Sequence, residues 1–315
     1  MKVIEHIAKS REPLFSFEIV PPPRGRGIGQ LIEVIDQLTP FQPAWVDVTA
    51  HSSMAHYLEQ EDGSIKRRVK KKRPGTMGIC GVIQNRFKLD TVAHILCQGF
   101  SREETEDALI ELAYLGIHNV LALRGDYLNF QKQVSKDRSA NLYAKDLVGQ
   151  IQGLNAGKYL EEMTDCSAMN FCVGVAGYPE KHFEAPNLKT DIEFLKQKVQ
   201  AGAEYVVTQM FFDNQKYFEF VNACREAGIT VPIVPGLKVI RSMEQLKSIP
   251  KNFYVNFPEE FSDDIQKNPK HISEIGKKWA IKQSRELMEK NVPSLHFYVM
   301  NDASLVADVL KEVRK

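Results

Sequence analysis

Eight short apolar runs, each followed by a longer segment with helical spacing, constrain what this chain can fold into more than any other feature of its sequence. They are LFSFEIV (14–20), AWVDVTA (44–50), TVAHILC (91–97), NVLALRG (119–125), FCVGVAG (171–177), EYVVTQMF (204–211), VPIVPGL (231–237) and SLHFYVM (294–300). All are rich in β-branched or aromatic residues and have the length of a single strand. Of the intervening segments, 101–116 is the most sharply marked: Ser101 and Glu104 form a Ser-x-x-Glu capping box, and Gly116 closes the helix. Further helices are expected at 29–38, 144–163, 188–202, 214–227 and 303–314, with room for more than one after the seventh strand. Strand alternating with helix eight times in 315 residues predicts an α/β protein folded as a (β/α)8 TIM barrel, with a doubly wound open sheet as the alternative. No linker, repeat or low-complexity stretch divides the chain, so a single domain spanning 1–315 is expected.

Composition removes several function classes. Forty-one basic and 40 acidic residues leave a formal charge of +1, so no global field recruits nucleic acid or an anionic membrane. The five cysteines are odd in number and include no CxxC pair, which argues against a disulfide framework and against a zinc site. No stretch approaches the roughly 20 apolar residues of a membrane span. A cytosolic protein is expected, with neither a membrane nor a nucleic-acid partner.

In a barrel, polar residues near the C-terminal ends of strands are the ones that build active sites. Glu18 is the sharpest of these, a carboxylate inside the apolar strand FSFEIV. Alternation puts Ser16, Glu18 and Val20 on one face, which in a barrel points inward, and Phe15, Phe17 and Ile19 on the other. A carboxyl buried there has a raised pKa and can serve as a general acid; a structural carboxylate held by a lysine or by backbone amides is an equally weighted reading. Thr49, the run Arg124 to Asp126, and Gln209 occupy corresponding strand ends. Each alone is more often a cap or loop residue, but together they match the way barrel sites are assembled.

Three motifs point elsewhere and carry less weight. Gly25, Gly27 and Gly29 imitate a dinucleotide fingerprint with Asp47 as its acidic partner, but the third position is Gln30, and Pro21, Pro22 and Pro23 obstruct the tight turn. The basic run IKRRVKKKRP (65–74) has no aromatic stacking residue and reads as a solvated face, secondarily as a contact for an acidic substrate tail. Arg124-Gly125-Asp126 is an adhesion tripeptide, yet it terminates an apolar strand in a chain with no signal segment.

FSFEIVPP, VDVT, VAHILC, LALRGD, YAKDLV, GYPEKH, AGAEYVVTQMFFD, PGL and LHFYVMN occur in that order from about residue 12 onward. Together they resemble the catalytic barrel of the methylenetetrahydrofolate reductase family, in its short bacterial form without a C-terminal regulatory domain. The resemblance implies a TIM-barrel flavoenzyme that binds FAD and reduces 5,10-methylenetetrahydrofolate to 5-methyltetrahydrofolate with NADH or NADPH, supplying methyl groups for methionine synthesis. Hydride passes through the flavin in two half-reactions, with nicotinamide and folate taking turns in one pocket. A homo-oligomer is expected.

On this resemblance the catalytic residues are Glu18, the proton donor, Asp126, which meets the pterin and tunes the flavin, and Gln209, which hydrogen-bonds the pterin. Glu18, Asp126, Gln209 and Met243 form the substrate site. The positions matching the FAD contacts are Thr49, His94, Arg124, Gly125, Asp126, Tyr143, Ala144, Ala176, Tyr178, His182, Asp191 and Lys198. Arg124, His182 and Lys198 suit a pyrophosphate, Asp191 a ribose, and Tyr178 a stacked ring. Ala203 matches a small packing residue behind the flavin site. Two positions depart from the family pattern: Met243 stands where an aromatic residue is common, and Asp302 where an arginine is expected to face the folate carboxylates. A proline dehydrogenase-like flavin barrel is the rival enzyme, and an adhesion or nucleic-acid module the non-enzymatic alternative.

Overall fold

The computed structural model describes residues 1–125, 134 and 138–314. Among them the strands are β1 (Leu14–Ile19), β2 (Trp45–Val48), β3 (Ser53–Glu59), β4 (Ile65–Lys71), β5 (Thr91–Leu96), β6 (Asn119–Leu123), β7 (Cys172–Gly177), β8 (Tyr205–Met210), β9 (Ile233–Leu237) and β10 (Ser294–Met300). The helices are α1 (Val3–Lys9), α2 (Gly29–Leu38), α3 (Thr76–Val82), α4 (Arg102–Tyr114), α5 (Ala144–Asn155), α6 (Leu188–Gln200), α7 (Asn214–Glu226), α8 (Met243–Phe253), α9 (Glu259–Lys267), α10 (Ile272–Glu289) and α11 (Ser304–Val313).

Eight of the strands close into a parallel barrel in the order β1-β10-β9-β8-β7-β6-β5-β2, and β2 pairs back with β1. This is the (β/α)8 barrel read from the sequence, and all eight expected runs supply one barrel strand each. Alternation along each strand divides the core. Phe15, Phe17, Ile19, Val46, Val48, Val120 and Phe297 point outward and pack against the helices. Trp45, Val92, Leu121, Tyr205 and Val207 point inward and fill the lower barrel. Each large side chain buried in this way contributes roughly 1.5–3 kcal/mol. Tyr205 fits only because β7 carries Gly174 opposite it: a Cβ at 174 would overlap the Tyr205 ring.

The N-terminal end of the barrel is closed by α1. Val3 joins the inner cluster, its N–H donates to Asn119 Oδ1 at 2.9 Å, and His6 meets Asp90 at 2.7 Å. The C-terminal end is left to polar side chains. Two regions differ from expectation. The basic run is strand β4, paired antiparallel with β3 in a hairpin outside the barrel, so the solvated face is real but strand-borne. The helix expected over 144–163 ends at Asn155, because Gly157 takes a left-handed φ of 73° just beyond it. After β9 the chain forms α8, α9 and α10, more than one helix, as the length of that stretch suggested.

Candidate active site

Inward positions on four strands, β1, β2, β5 and β10, converge above the apolar barrel floor. Glu18 on β1 lies beside Asp47 on β2 and Tyr298 on β10 in strand register. His94, from β5, reaches both carboxylates: its Nε2 is 3.4 Å from Asp47 Oδ1 and 3.7 Å from Glu18 Oε2. His296, on β10, approaches Asp47 Oδ2 at 3.9 Å and shares a 3.0 Å hydrogen bond with Ser16 through Nδ1. Asp47 is completely buried, and Glu18 retains 12% exposure.

Burial pushes the Glu18 carboxyl up to about 7; His94 and Lys238 oppose this and Asp47 adds to it. Burial also pulls His94 toward neutrality, but the Asp47 hydrogen bond and the charges of Glu18 and Asp47 outweigh it, so its pKa lies above the usual imidazole value. His296 is held below that value by its burial. Lys238, just past β9, donates to the Tyr298 carbonyl at 2.6 Å and is lowered to about 8 by burial. The Tyr298 hydroxyl donates to the Thr208 carbonyl at 2.6 Å. A carboxylic acid that keeps a large share of its protons up to neutral pH is what this cluster produces.

A cavity of about 370 Å³ opens at the C-terminal ends of β6 and β7, between the N-terminus of α5 and the flank of α6. Arg124, Tyr143, Ala144, Ala176, Tyr178, His182, Asp191 and Lys198, eight of the twelve positions matched to flavin contacts, line it. Lys198 donates to the Ala176 carbonyl at 2.6 Å and is lowered to about 8 by burial, with Asp191 opposing. Asp191, raised by burial, accepts from the His182 N–H at 2.8 Å. The Tyr178 and His182 rings meet edge to face at 4.7 Å, and Arg124 lies over the Tyr143 ring at 5.4 Å and pairs with Glu184. The carboxylate cluster and the cavity lie on neighbouring strands: β5, which carries His94, pairs with β6, whose Ala122 and Leu123 line the cavity together with Arg124 just beyond it.

The other predicted positions are distributed around these two features. His94 belongs to the carboxylate cluster, and Thr49 follows β2 with its hydroxyl buried and unpaired among the described residues. Gly125 follows β6 in a left-handed conformation, φ 91°, and does not line the cavity. Gln209 lies at an inward position of β8, its side-chain oxygen accepting from the Met210 N–H at 2.9 Å. Met243 opens α8 and packs against the cluster of Met210, Phe212 and Ile240. Asp302 pairs with Arg241 at 2.7 Å, so the departure at 302 stands, with a cation beside it rather than in its place. Asp126 lies outside the described residues. Asp47, His296, Lys238 and Tyr298 were not singled out from sequence as site residues, although strand alternation from Glu18 and Thr49 points to Asp47.

The chemistry of the donors fits a flavin dinucleotide. The cavity offers cations for a pyrophosphate, a carboxylate for a ribose and apolar or aromatic walls for a ring system, and both Thr49 Oγ1 and Arg124 Nε are buried without a partner among the described residues. No helix among the described residues is long and apolar enough to cross a membrane.

An acid–base cluster beside a cavity, both at the C-terminal ends of barrel strands, is the arrangement of barrel enzymes. Comparison with known proteins gives the family. The methylenetetrahydrofolate reductase family model matches residues 3–314. "Methylenetetrahydrofolate reductase 1" of Schizosaccharomyces pombe is 31% identical over 303 residues, 95% of this chain and 45% of the relative. "Methylenetetrahydrofolate reductase (NADH) 1" of Arabidopsis thaliana is 31% identical over 318 residues, 96% of this chain and 49% of the relative. "5,10-methylenetetrahydrofolate reductase" of Pectobacterium carotovorum is 29% identical over 293 residues, 92% of this chain and 86% of the relative. The chain thus spans about half the length of the two eukaryotic relatives and most of the bacterial one. It belongs to the methylenetetrahydrofolate reductase family, a family of oxidoreductases.

Proposed function

We propose that this chain binds FAD and reduces 5,10-methylenetetrahydrofolate to 5-methyltetrahydrofolate with NADH or NADPH, supplying methyl groups for methionine synthesis. The observation that carries the reading is Glu18: a buried carboxyl held up to about 7, facing the barrel mouth next to a cavity whose donors suit a flavin dinucleotide. FAD, when bound, supplies the two-electron exchange between nicotinamide and folate in turn.

Arg124, His182 and Lys198 hold the pyrophosphate and Asp191 a ribose, while Tyr143, Ala144, Ala176 and Tyr178 wall the cavity. Thr49, His94, Gly125 and Asp126 complete the flavin contacts. Glu18 holds a proton on its carboxyl at neutral pH and delivers it to the folate nitrogen that must leave when the imidazolidine ring opens to the iminium. Gln209 and Asp126 orient the pterin, and Met243 packs against it. Arg241, paired with Asp302, supplies the positive charge for the folate carboxylates. The inner barrel below the site is filled by Trp45, Tyr205 and Val207, which keeps bulk water from reaching the cluster from below.

The test is an anaerobic visible spectrum of the purified protein, before and after NADH and then after methylenetetrahydrofolate. A flavin spectrum that bleaches with NADH and returns with the folate is expected. Bleaching that the folate does not reverse would remove the substrate assignment and leave the cofactor, and absence of flavin even after FAD is added would remove the reading altogether.

A further inference from the structure

His94 Nε2 faces two carboxylates and has one proton to offer. Asp47 is the nearer at 3.4 Å against 3.7 Å for Glu18, and the more deeply buried. The second histidine in the cluster does not relieve the competition, because burial keeps His296 toward its neutral form and its Nδ1 is engaged with Ser16. Lys238 and Tyr298 also face Glu18, but the ammonium is engaged with the Tyr298 carbonyl and the hydroxyl with the Thr208 carbonyl. Asp47 Oδ2 makes no hydrogen bond among the described residues, so the buried carboxyl is held there through Oδ1 and His94 alone.

We propose that Asp47 is a positioning residue that serves as the counter-ion of His94 and thereby leaves Glu18 free to keep its proton. The proposal rests on reading Glu18 as the proton donor. In a site buried to this degree a net charge is costly. With Asp47 ionised and His94 protonated, the three groups are neutral only while Glu18 carries its proton. Without the Asp47 charge, Glu18 is the only carboxyl left beside His94 to hold it as an imidazolium, and it does so by ionising at a lower pH.

The test follows the Glu18 carboxyl directly, by 13C NMR of protein carrying label in the glutamate side-chain carboxyls, the resonance being assigned by its loss in Glu18→Gln. In Asp47→Asn the titration midpoint of Glu18 is expected to fall by about one pH unit or more, and the loss of folate-reducing activity with rising pH should move down in parallel. Adding His94→Gln to Asp47→Asn should return the midpoint to the wild-type value or above, a reversal that a packing role would not give. An unchanged midpoint in Asp47→Asn, or a fall that the double variant does not reverse, overturns the proposal. If Asp47→Asn does not fold, His94→Gln alone decides: its Glu18 midpoint should rise, and a midpoint that stays or falls overturns the proposal. A protein that reduces no methylenetetrahydrofolate while its Glu18 midpoint still obeys Asp47 would sink the functional reading and leave the counter-ion assignment standing.

Discussion

Ala203 does not line the cavity, yet it is bonded to a residue that does. It is 4% exposed, belongs to the core between barrel and helices, and its N–H donates at 3.2 Å to the carbonyl of Lys198, whose ammonium lines the cavity. Space beside it is already short, since any Cβ at Gly202 would run into the Gln152 side chain. Ala203→Val should overpack this corner at a cost of about 1–3 kcal/mol and displace the end of α6 that carries Lys198. Flavin fluorescence after dilution should then appear faster than in wild type, while Ala203→Gly should retain its flavin longer than the valine variant. Equal release rates in all three proteins would remove Ala203 from the support of the cavity. Residues such as Glu18 and Lys198 were legible in the sequence because a charge inside an apolar run, or at a matched family position, is conspicuous. Asp47 and His296 were less so: each looks like an ordinary strand residue until closure of the barrel turns the alternation of β2 and β10 toward Glu18.

Helix α4 shows how much one element owes to its first turn. Ser101 is 1% exposed; its hydroxyl accepts from the Glu104 N–H at 3.1 Å, and its own N–H donates to the Glu104 carboxylate at 2.9 Å. Ser101→Ala removes the first of these bonds and should cost about 1 kcal/mol, lowering Tm by roughly 1–2 °C. Flavin content should not change, because α4 does not line the cavity; thermal melts with and without added FAD check both points. Capping boxes, apolar strands and helix-stopping glycines are local signals, which is why eight barrel strands and most helices could be read before the structure. The β3–β4 hairpin carries a local signal only in its turn, where Asp62 precedes Gly63 at φ 79°. Its second strand, Ile65 to Lys71, has no buried residue, so period-two patterning is absent and pairing with Ser53 to Glu59 decides its conformation. Helix α1 is short, and only the open end of a closed barrel explains why Val3 is buried.

At the scale of the whole molecule, balanced charge conceals an uneven distribution of titration energy. A formal charge of +1 says nothing about how stability varies with pH, whereas the groups gathered at the barrel mouth say a good deal. The Glu18 pKa stands at about 7 in the folded protein against 4.5 in the unfolded chain. The folded state therefore binds more protons between those values, and this group's contribution is present below pH 4.5 and lost as pH rises to 7. His51 works in the opposite sense, because burial and the nearby Arg73 and Lys71 hold it down to about 4, so its contribution grows as pH rises from 4 to 6.5. Wild-type stability alone would mix the two. Comparison with Glu18→Gln isolates the carboxylate, since the amide keeps the shape and cannot ionise. The two proteins should unfold in urea at similar denaturant concentrations near pH 4.5 and diverge steadily up to pH 7. There the variant should be the more stable by on the order of 3 kcal/mol, most of the full value of a shift that large. The same substitution should abolish folate reduction, so stability gained and activity lost would trace to one buried proton; denaturation curves that stay parallel from pH 5 to pH 8 would show that Glu18 ionises freely in the folded protein and does not hold that proton.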